Sequence, residues 1–259
     1  MPRLAANLSM MFNEVPFLDR FDAAAKAGFK GVEFLFPYDF SAAEIKARLD
    51  ANGLTQALFN MPPGNWAGGE RGTASLPGRQ AEFREGVKKA LDYAAALDCK
   101  LVHCMAGIPP AGTPFTTAAA LYAANLAWAG EQALAAGVKI AIEPINHRDM
   151  PGFHLNTMAQ GAEVVQAIGT DRIGLQFDVY HCQVTEGDIT KRLEALLPLV
   201  VHVQIADVPA RNEPGTGEIG WEFVLRRMDE LGYKGWVGCE YRPAGDTVAG
   251  LGWRARFGV

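Results

Sequence analysis

The sequence is short of cysteine and histidine, and it carries no surplus of positive charge. Its four cysteines, spread over 259 residues, show no CxxC spacing, which argues against a disulfide framework. With five histidines and a formal net charge of −5, nothing favours binding to a polyanion such as DNA. A nucleic-acid partner is therefore not expected.

Long apolar runs are also missing. No run approaches the length that is needed to cross a membrane. Near the N-terminus polar residues return at Asn7, Asn13 and Glu14, so the apolar core of a signal peptide is not expected. The prediction is a cytoplasmic protein without a membrane partner, and the sequence leaves a homo-oligomer open.

What is present is the composition of a globular enzyme. Hydrophobic residues make up 49% of the chain and charged residues 20%, which is ordinary for a protein that buries a large core. The length suits one α/β barrel, and no composition shift or flexible linker divides the chain. Residues 1–259 are expected to form a single domain.

Short β-branched runs alternate with longer amphipathic stretches along the whole chain. The predicted strands are 4–8, 31–34, 55–60, 100–104, 139–143, 172–178, 200–204 and 235–240. The predicted helices are 15–27, 41–52, 79–97, 116–136, 157–168, 188–196 and 221–231, with the tail 247–258 as the last. Eight such units predict a parallel sheet with crossover helices. A closed (β/α)8 TIM barrel of the α/β class is favoured over a doubly wound open sheet, which strand count alone does not exclude.

Glycine and serine positions support these helix boundaries. Ser41 precedes Glu44 with the spacing of a capping box at the start of the second helix. Five glycines closely follow helical patterns, where a left-handed residue is expected before the chain turns into a strand: Gly28, Gly53, Gly137, Gly169 and Gly232.

Four strands in the second half of the chain end on a side chain that can bind a hard cation. These side chains are Glu143, Asp178, Gln204 and Glu240. All strands of a parallel barrel open with their C-terminal ends on one face, so the four are expected to converge there. Three carboxylates and one amide suit Mg²⁺ or Mn²⁺, which prefer oxygen ligands. The alternative for each residue is that it caps a turn or pairs with an arginine.

The residues two positions earlier on the same strands share the inward face. They are Ala141, Gln176, His202 and Gly238. Ala141 and Gly238 are small and leave room beneath the carboxylates, whereas Gln176 and His202 can hydrogen-bond to the ligands. His202 is better explained as a core histidine than as a ligand.

Glu143 and Glu240 end strands five and eight, roughly opposite one another across the predicted mouth. This arrangement suits proton transfer, in which one carboxylate removes a proton from a substrate and the other returns it. A divalent cation on the carbonyl and hydroxyl oxygens would stabilise the enediolate that such a transfer produces. Glu143 and Glu240 are therefore candidates for both catalysis and metal binding.

Two residues in neighbouring loops are candidates for substrate binding. His181 follows Asp178 by three positions and could reach a substrate oxygen or relay a proton, although it could also be a surface or helix-cap histidine. Arg211 follows Gln204 and could bind a carboxylate in a bidentate manner. The Pro/Gly-rich run 213–218 lacks the lysine of a P-loop, so a rigid turn is the simpler interpretation. Roles for His103 and Asp149 stay open.

The glycine-rich loop 61–72 after the third strand is long for a compact domain. An exposed Trp66 beside Arg71 predicts a lid that excludes water and supplies a cation to the substrate. A packed Ω-loop is the alternative.

Several segments carry a close resemblance to the bacterial hydroxypyruvate isomerase family, a group of xylose isomerase-like barrels. They include Ala6-Asn7-Leu8-Ser9-Met10, Gly31-Val32-Glu33-Phe34, Ala67-Gly68-Gly69-Glu70-Arg71-Gly72, Ile142-Glu143-Pro144-Ile145-Asn146, Gln204-Ile205-Ala206-Asp207 and Trp236-Val237-Gly238-Cys239-Glu240-Tyr241. The similarity runs along essentially the whole chain.

The resemblance implies interconversion of hydroxypyruvate and tartronate semialdehyde. It also implies that Glu143 and Glu240 are the acid/base pair and that Glu143, Asp178, Gln204 and Glu240 are the metal ligands. Related ketose epimerases commonly have histidine where this chain has Gln204, which argues against a sugar epimerase. Close relatives within the family act on 2-oxotetronates, and the motifs do not separate the two substrates.

Two other classes compete with this interpretation. Endonucleases that cut DNA at abasic sites share the barrel, but they need a histidine-rich zinc cluster and a basic groove. A non-catalytic barrel that binds a carboxylated ligand predicts binding without exchange of substrate hydrogens with solvent. The isomerase is favoured over both.

Overall fold

A computed structural model describes residues 2–259, and its eight strands close into a parallel barrel. The strands are β1 (Arg3–Asn7), β2 (Gly31–Phe34), β3 (Thr55–Asn60), β4 (Leu101–His103), β5 (Lys139–Ile142), β6 (Ile173–Asp178), β7 (Val200–Ile205) and β8 (Trp236–Cys239). Consecutive strands pair in parallel, and β8 pairs with β1. The prediction of a closed barrel is confirmed, and the open sheet is wrong.

Helices cover the outside of the barrel. They are α1 (Arg20–Lys26), α2 (Ala42–Asn52), α3 (Gln80–Leu97), α4 (Phe115–Ala135), α5 (Met158–Ile168), α6 (Val179–Thr185), α7 (Ile189–Leu196), α8 (Trp221–Glu230), α9 (Thr247–Gly250) and α10 (Trp253–Phe257). None of the helices among residues 2–259 is long and apolar enough to cross a membrane.

Local chemistry fixes several helix ends. Ser41 and Glu44 form the predicted capping box at the start of α2, and Gly53 ends this helix in the left-handed conformation. Thr157 and Gln160 form a second capping box at the start of α5. These local bonds explain why α2 and α5 lie within a residue of the predicted bounds.

Three helix predictions need correction. The first helix was predicted from residue 15, but Pro16 is extended and a single 3-10 turn precedes α1. The tail forms two short helices, α9 and α10, rather than one. Helix α6 was not predicted at all. It starts directly after β6 because the Asp178 carboxylate accepts the backbone N–H groups of Tyr180 and His181.

The interior of the barrel is apolar toward the N-terminal ends of the strands and polar toward their C-terminal ends. The large apolar core lies between strands and helices, while a small separate cluster contains Leu58, Leu101 and Ala141. These three share the inward faces of β3, β4 and β5 with residues that line the mouth. Above them the interior becomes polar, and this is the end at which the strand C-termini meet.

Candidate active site

Four side chains form a buried cluster at the C-terminal mouth of the barrel. They are Glu143, Asp178, His181 and Glu240, and one ligand atom from each lies within 4.8 Å of the others. Glu143 and Glu240 follow β5 and β8, Asp178 ends β6, and His181 lies in the first turn of α6. Residues separated by almost a hundred positions thus meet because parallel strands end on one face.

Arg211 enters this cluster from the loop after β7. Its guanidinium donates a short hydrogen bond to Glu240 and lies 3.5 Å from Asp178 Oδ2. It also stands 4.9 Å from the ring centroid of Tyr180. Burial disfavours its charge, yet the surrounding carboxylates, Glu240 first, raise the pKa of Arg211. Arg211 is therefore a permanent cation in the site.

The pKa values of both glutamates in this cluster are raised. Burial raises the pKa of Glu143 well above its ordinary value, and the neighbouring charges of Glu240 and Asp178 raise it further. Burial also raises the pKa of Glu240, although Arg211 opposes this shift. Two coupled carboxyl groups of this kind can hold a proton that an isolated carboxylate would lose near neutral pH.

Both buried histidines of the mouth are neutral. Burial lowers the pKa of His181 well below its ordinary value, and Arg211 adds to this effect. Burial lowers the pKa of His103 to about 3. The Nδ1 atom of His181 accepts from the Asn146 amide at 2.6 Å, which assigns the ring hydrogen to Nε2, 3.8 Å from Glu143 Oε1 and 3.6 Å from Asp178 Oδ2.

Gln204, the fourth expected ligand, has its amide tied to other interior groups. Its Oε1 accepts from Gln176 Nε2 at 2.6 Å, and its Nε2 donates to Glu33 Oε1 at 2.8 Å. One lone pair of Oε1 is left for a cation. Gln204 and Asp178 are partners in the parallel ladder of β6 and β7, so they end at the same level of the barrel.

The donor set fits a divalent cation. The carboxylate oxygen Glu143 Oε1 is buried without a hydrogen-bond partner. Carboxylate oxygens around such an atom are the ligands that Mg²⁺ or Mn²⁺ prefer in proteins, whereas both ring nitrogens of His181 are already engaged.

Asp207 holds the loop that carries Arg211. Its Oδ1 accepts the backbone N–H groups of Val208 at 2.9 Å and Ile219 at 3.1 Å. Its Oδ2 accepts those of Gly215 at 2.8 Å and Gly217 at 2.9 Å. Backbone N–H groups of the glycine-rich run therefore surround an anion, and this anion is a side chain of the protein. This agrees with the rigid-turn interpretation.

The loop 61–72 is packed and also lines the mouth. The Arg71 guanidinium lies 4.0 Å from the Trp66 ring centroid and donates to the carbonyl oxygens of Trp66 at 3.0 Å and Glu70 at 2.7 Å. Glu70 pairs with Arg79 at 2.6 Å, and Trp66 contacts Phe36 with ring centroids 4.9 Å apart. Trp66 is half-buried, so the expectation of an exposed tryptophan is wrong, because Phe36 and Arg71 both pack against its ring.

A cavity of about 200 Å³ opens onto the cluster, and its walls include Trp66, Arg71, His181, Arg211 and both glutamates. Sequence reasoning missed Asn60, Met10 and Arg242 in these walls. Arg242 could have been found, since it follows Glu240 by two positions at the end of a predicted strand. Asn60 also ends a predicted strand, but no acidic residue lies beside it in the sequence to mark that strand end as part of a site.

The fold and this cluster define a class: a (β/α)8 barrel with a buried carboxylate site at the C-terminal ends of its strands. Residues 21–257 match the family model described as xylose isomerase-like TIM barrel. The 2-oxo-tetronate isomerase of Cupriavidus necator is 54% identical over 253 residues, which cover 98% of this chain and 97% of that protein. The hydroxypyruvate isomerase of Escherichia coli is 45% identical over 253 residues, which cover 98% of both.

A solved structure from Brucella melitensis, titled AP endonuclease, family 2, superposes with a TM-score of 0.96 at 47% identity and covers 99% of each chain. The chain belongs to the xylose isomerase-like TIM barrel family, within the group that contains the hydroxypyruvate and 2-oxo-tetronate isomerases, and it is an isomerase. The resemblance seen in the sequence is confirmed.

Proposed function

We propose that this isomerase interconverts hydroxypyruvate and tartronate semialdehyde by moving a proton between adjacent carbons. The observation that carries the proposal is the pair Glu143 and Glu240, both buried with raised pKa values at a small cavity that arginines also line. A cavity of about 200 Å³ suits a substrate of few atoms. A four-carbon 2-oxotetronate is the second candidate, favoured by the 54% identity to the Cupriavidus necator enzyme.

In the proposed reaction, the ionised glutamate removes a proton from the hydroxymethylene carbon of the substrate. The protonated glutamate then delivers a proton to the adjacent carbon, which was the carbonyl carbon. The proton of the hydroxyl group must also move to the neighbouring oxygen. Neutral His181, whose Nδ1 is held by Asn146, is the group suited to exchange it: Nε2 donates its proton to the carbonyl oxygen and recovers one from the hydroxyl oxygen.

Negative charge develops on the substrate oxygens while the proton is absent from carbon. Arg211 provides a fixed cation for this charge, already desolvated and held by Asp178 and Glu240. A divalent cation held by Glu143, Asp178, Gln204 and Glu240 would act as a Lewis acid on the substrate oxygens when it is bound. Trp66 is part of the cavity wall, where its apolar ring helps to exclude bulk water from the reacting carbons.

Arg71 or Arg211 binds the substrate carboxylate. Arg71 is the better candidate, because its guanidinium is not paired with a carboxylate of residues 2–259. The guanidinium of Arg211 already contacts two carboxylates, whereas the hydrogen bonds of Arg71 go to carbonyl oxygens. We expect Arg71→Met to raise KM at least about tenfold with a smaller change in kcat, because a charge-assisted contact to the ground state is lost. Arg226→Gln, at an exposed position on α8, is the control; an unchanged KM in Arg71→Met would assign the contact to Arg211.

The decisive experiment follows substrate hydrogens by NMR in D₂O, with hydroxypyruvate and with 2-oxotetronates, with and without chelator. We expect solvent deuterium to enter the product at the carbon that receives the proton. The substrate with the higher kcat/KM identifies the chain length. Isomerisation without deuterium in the product would reject the proton-transfer route, and binding of both substrate classes without product would reject the proposed substrates.

An endonuclease activity is not proposed, although the Brucella melitensis structure carries that title. The chain has a net charge of −5, and only His181 among its histidines joins the buried cluster of the described residues. DNA binding that weakens steeply with salt would revive this alternative.

A further inference from the structure

Glu33 is a fully buried acid that the proposed reaction does not use. It lies on β2 inside the barrel with 0% of its surface exposed. Three side-chain donors surround its carboxylate: His202 Nε2 at 2.6 Å, Gln204 Nε2 at 2.8 Å and Asn7 Nδ2 at 3.0 Å. Burying a carboxylate costs free energy unless it is hydrogen-bonded, and these three donors compensate that cost for Glu33.

Gly238 leaves the space that the Glu33 carboxylate occupies. A Cβ added at Gly238 on β8 would overlap both carboxylate oxygens of Glu33. The backbone of Gly238 is not in the left-handed region, so the constraint is space rather than conformation. The absence of a side chain at Gly238 lets Glu33 extend from β2 to the donors on β7.

Glu33 decides which way the Gln204 amide points. Because a carboxylate only accepts hydrogen bonds, the NH₂ group of Gln204 must face Glu33. The carbonyl oxygen Oε1 is then directed away from Glu33, where it accepts from Gln176. This orientation leaves Oε1 as the one atom that Gln204 can offer to a cation.

Asn7 links Glu33 to Glu240, one of the two glutamates proposed for catalysis. Its Oδ1 accepts the backbone N–H of Ser9 at 3.1 Å, which fixes its NH₂ group on the opposite side. That group donates to Glu33 and lies 3.4 Å from Glu240 Oε1. One acid on β2 thus contacts, directly or through Asn7, two residues of the proposed metal site.

We propose that Glu33 is a positioning residue for the divalent cation site: it orients Gln204 and Asn7 and adds negative charge beneath the ligands. The inference rests on the proposed function, because that function includes the metal site. Glu33 itself does not touch the substrate. Its effect is expected in cation affinity before it is expected in turnover.

The test measures Mn²⁺ binding to the purified protein by electron paramagnetic resonance and by calorimetry, without substrate. Glu33→Gln keeps the size of the side chain but presents an NH₂ group to donors. We expect the Mn²⁺ Kd to rise at least about tenfold, the range found when outer partners of metal ligands are removed. We also expect the activity of Glu33→Gln to recover as Mn²⁺ is raised to saturation, which a merely unstable variant would not show.

A double-mutant cycle with Gln204→Met identifies the route. If Glu33 acts through Gln204, the double variant binds Mn²⁺ little more weakly than Gln204→Met alone. Fully additive losses would overturn the proposed route. A Kd within about threefold of the wild type in Glu33→Gln, or a wild-type protein that binds no Mn²⁺, would overturn the proposal itself.

Gly238→Ala serves if Glu33→Gln does not fold. It keeps every polar group, and the three atoms nearest to the added Cβ all belong to the Glu33 carboxylate, so it is expected to weaken Mn²⁺ binding as well. Gly252→Ala is its matched control, because a Cβ there meets no atom within 4 Å and the backbone is right-handed. Wild-type protein that binds Mn²⁺ but isomerises neither substrate would reject the proposed function while leaving the role of Glu33 intact.

Discussion

Glu143→Gln and Glu240→Gln are each expected to lower kcat by at least about 10²-fold with the fold intact. The amide is nearly the same size as the carboxylate, but it can neither accept nor deliver the proton. Burial raises the pKa values of both residues, so the pair can hold a proton that an isolated carboxylate would lose near neutral pH. The measurement is steady-state turnover together with deuterium incorporation from D₂O.

Glu131→Gln on the outer helix α4 is the matched control, since its side chain is exposed and its carboxylate lies 3.7 Å from Arg172. Circular dichroism melting would verify that all three variants fold. Near-normal turnover in both cluster variants would reject the acid/base pair. If only one variant is inactive, a single residue performs both proton transfers.

Asp207→Ala is expected to lower the free energy of unfolding by about 3 kcal/mol or more and to reduce turnover as well. Four backbone N–H groups lose their acceptor; those of Val208 and Ile219 are buried, and an unpaired buried donor costs about 1–3 kcal/mol. The loss falls on the loop that presents Arg211, whose own N–H bonds to the carbonyl oxygen of Asp207 at 2.9 Å. Urea unfolding and steady-state kinetics measure the two effects.

Asp207→Asn is the more informative variant, because it is nearly isosteric. Its carbonyl oxygen can replace Oδ1, but its NH₂ group then faces the N–H groups of Gly215 and Gly217. We expect Asp207→Asn to show a substantial part of the decrease in the free energy of unfolding that Asp207→Ala shows. We also expect it to raise KM or lower kcat, because the loop that it destabilises carries Arg211. Wild-type stability in both variants would show that the glycine-rich run does not depend on the Asp207 carboxylate.

The alternation of strands and helices was readable because each element carries its own signal. Strands β2 and β3 have the predicted bounds, and capping boxes fix α2 and α5. Helix α6 was missed because its signal is a single carboxylate at the end of a strand, which the sequence presented as a metal ligand. Asp178 shows that one side chain can cap a helix and face the site at the same time.

The candidate site was partly readable for a different reason. Polar residues at the ends of buried strands stand out, and the structure brings Glu143, Asp178 and Glu240 together with His181. Glu33 did not stand out, since an acid inside a four-residue apolar strand has no recognisable partner in the sequence. Its partners on β1 and β7 lie 26 and about 170 positions away.

The amino-acid sequence by itself determined the class of fold, the family and the acids that end the strands, because these depend on local periodicity and on motifs that neighbouring residues carry. Only the tertiary structure decided what each acid contacts. Closure of the barrel places Arg211 between Asp178 and Glu240, surrounds Asp207 with N–H groups of the glycine-rich run and sets Glu33 beneath Gln204. The physical reason is that burial and pairing, which set both the protonation state and the orientation of a polar side chain, depend on groups that are distant in the chain and adjacent only after folding.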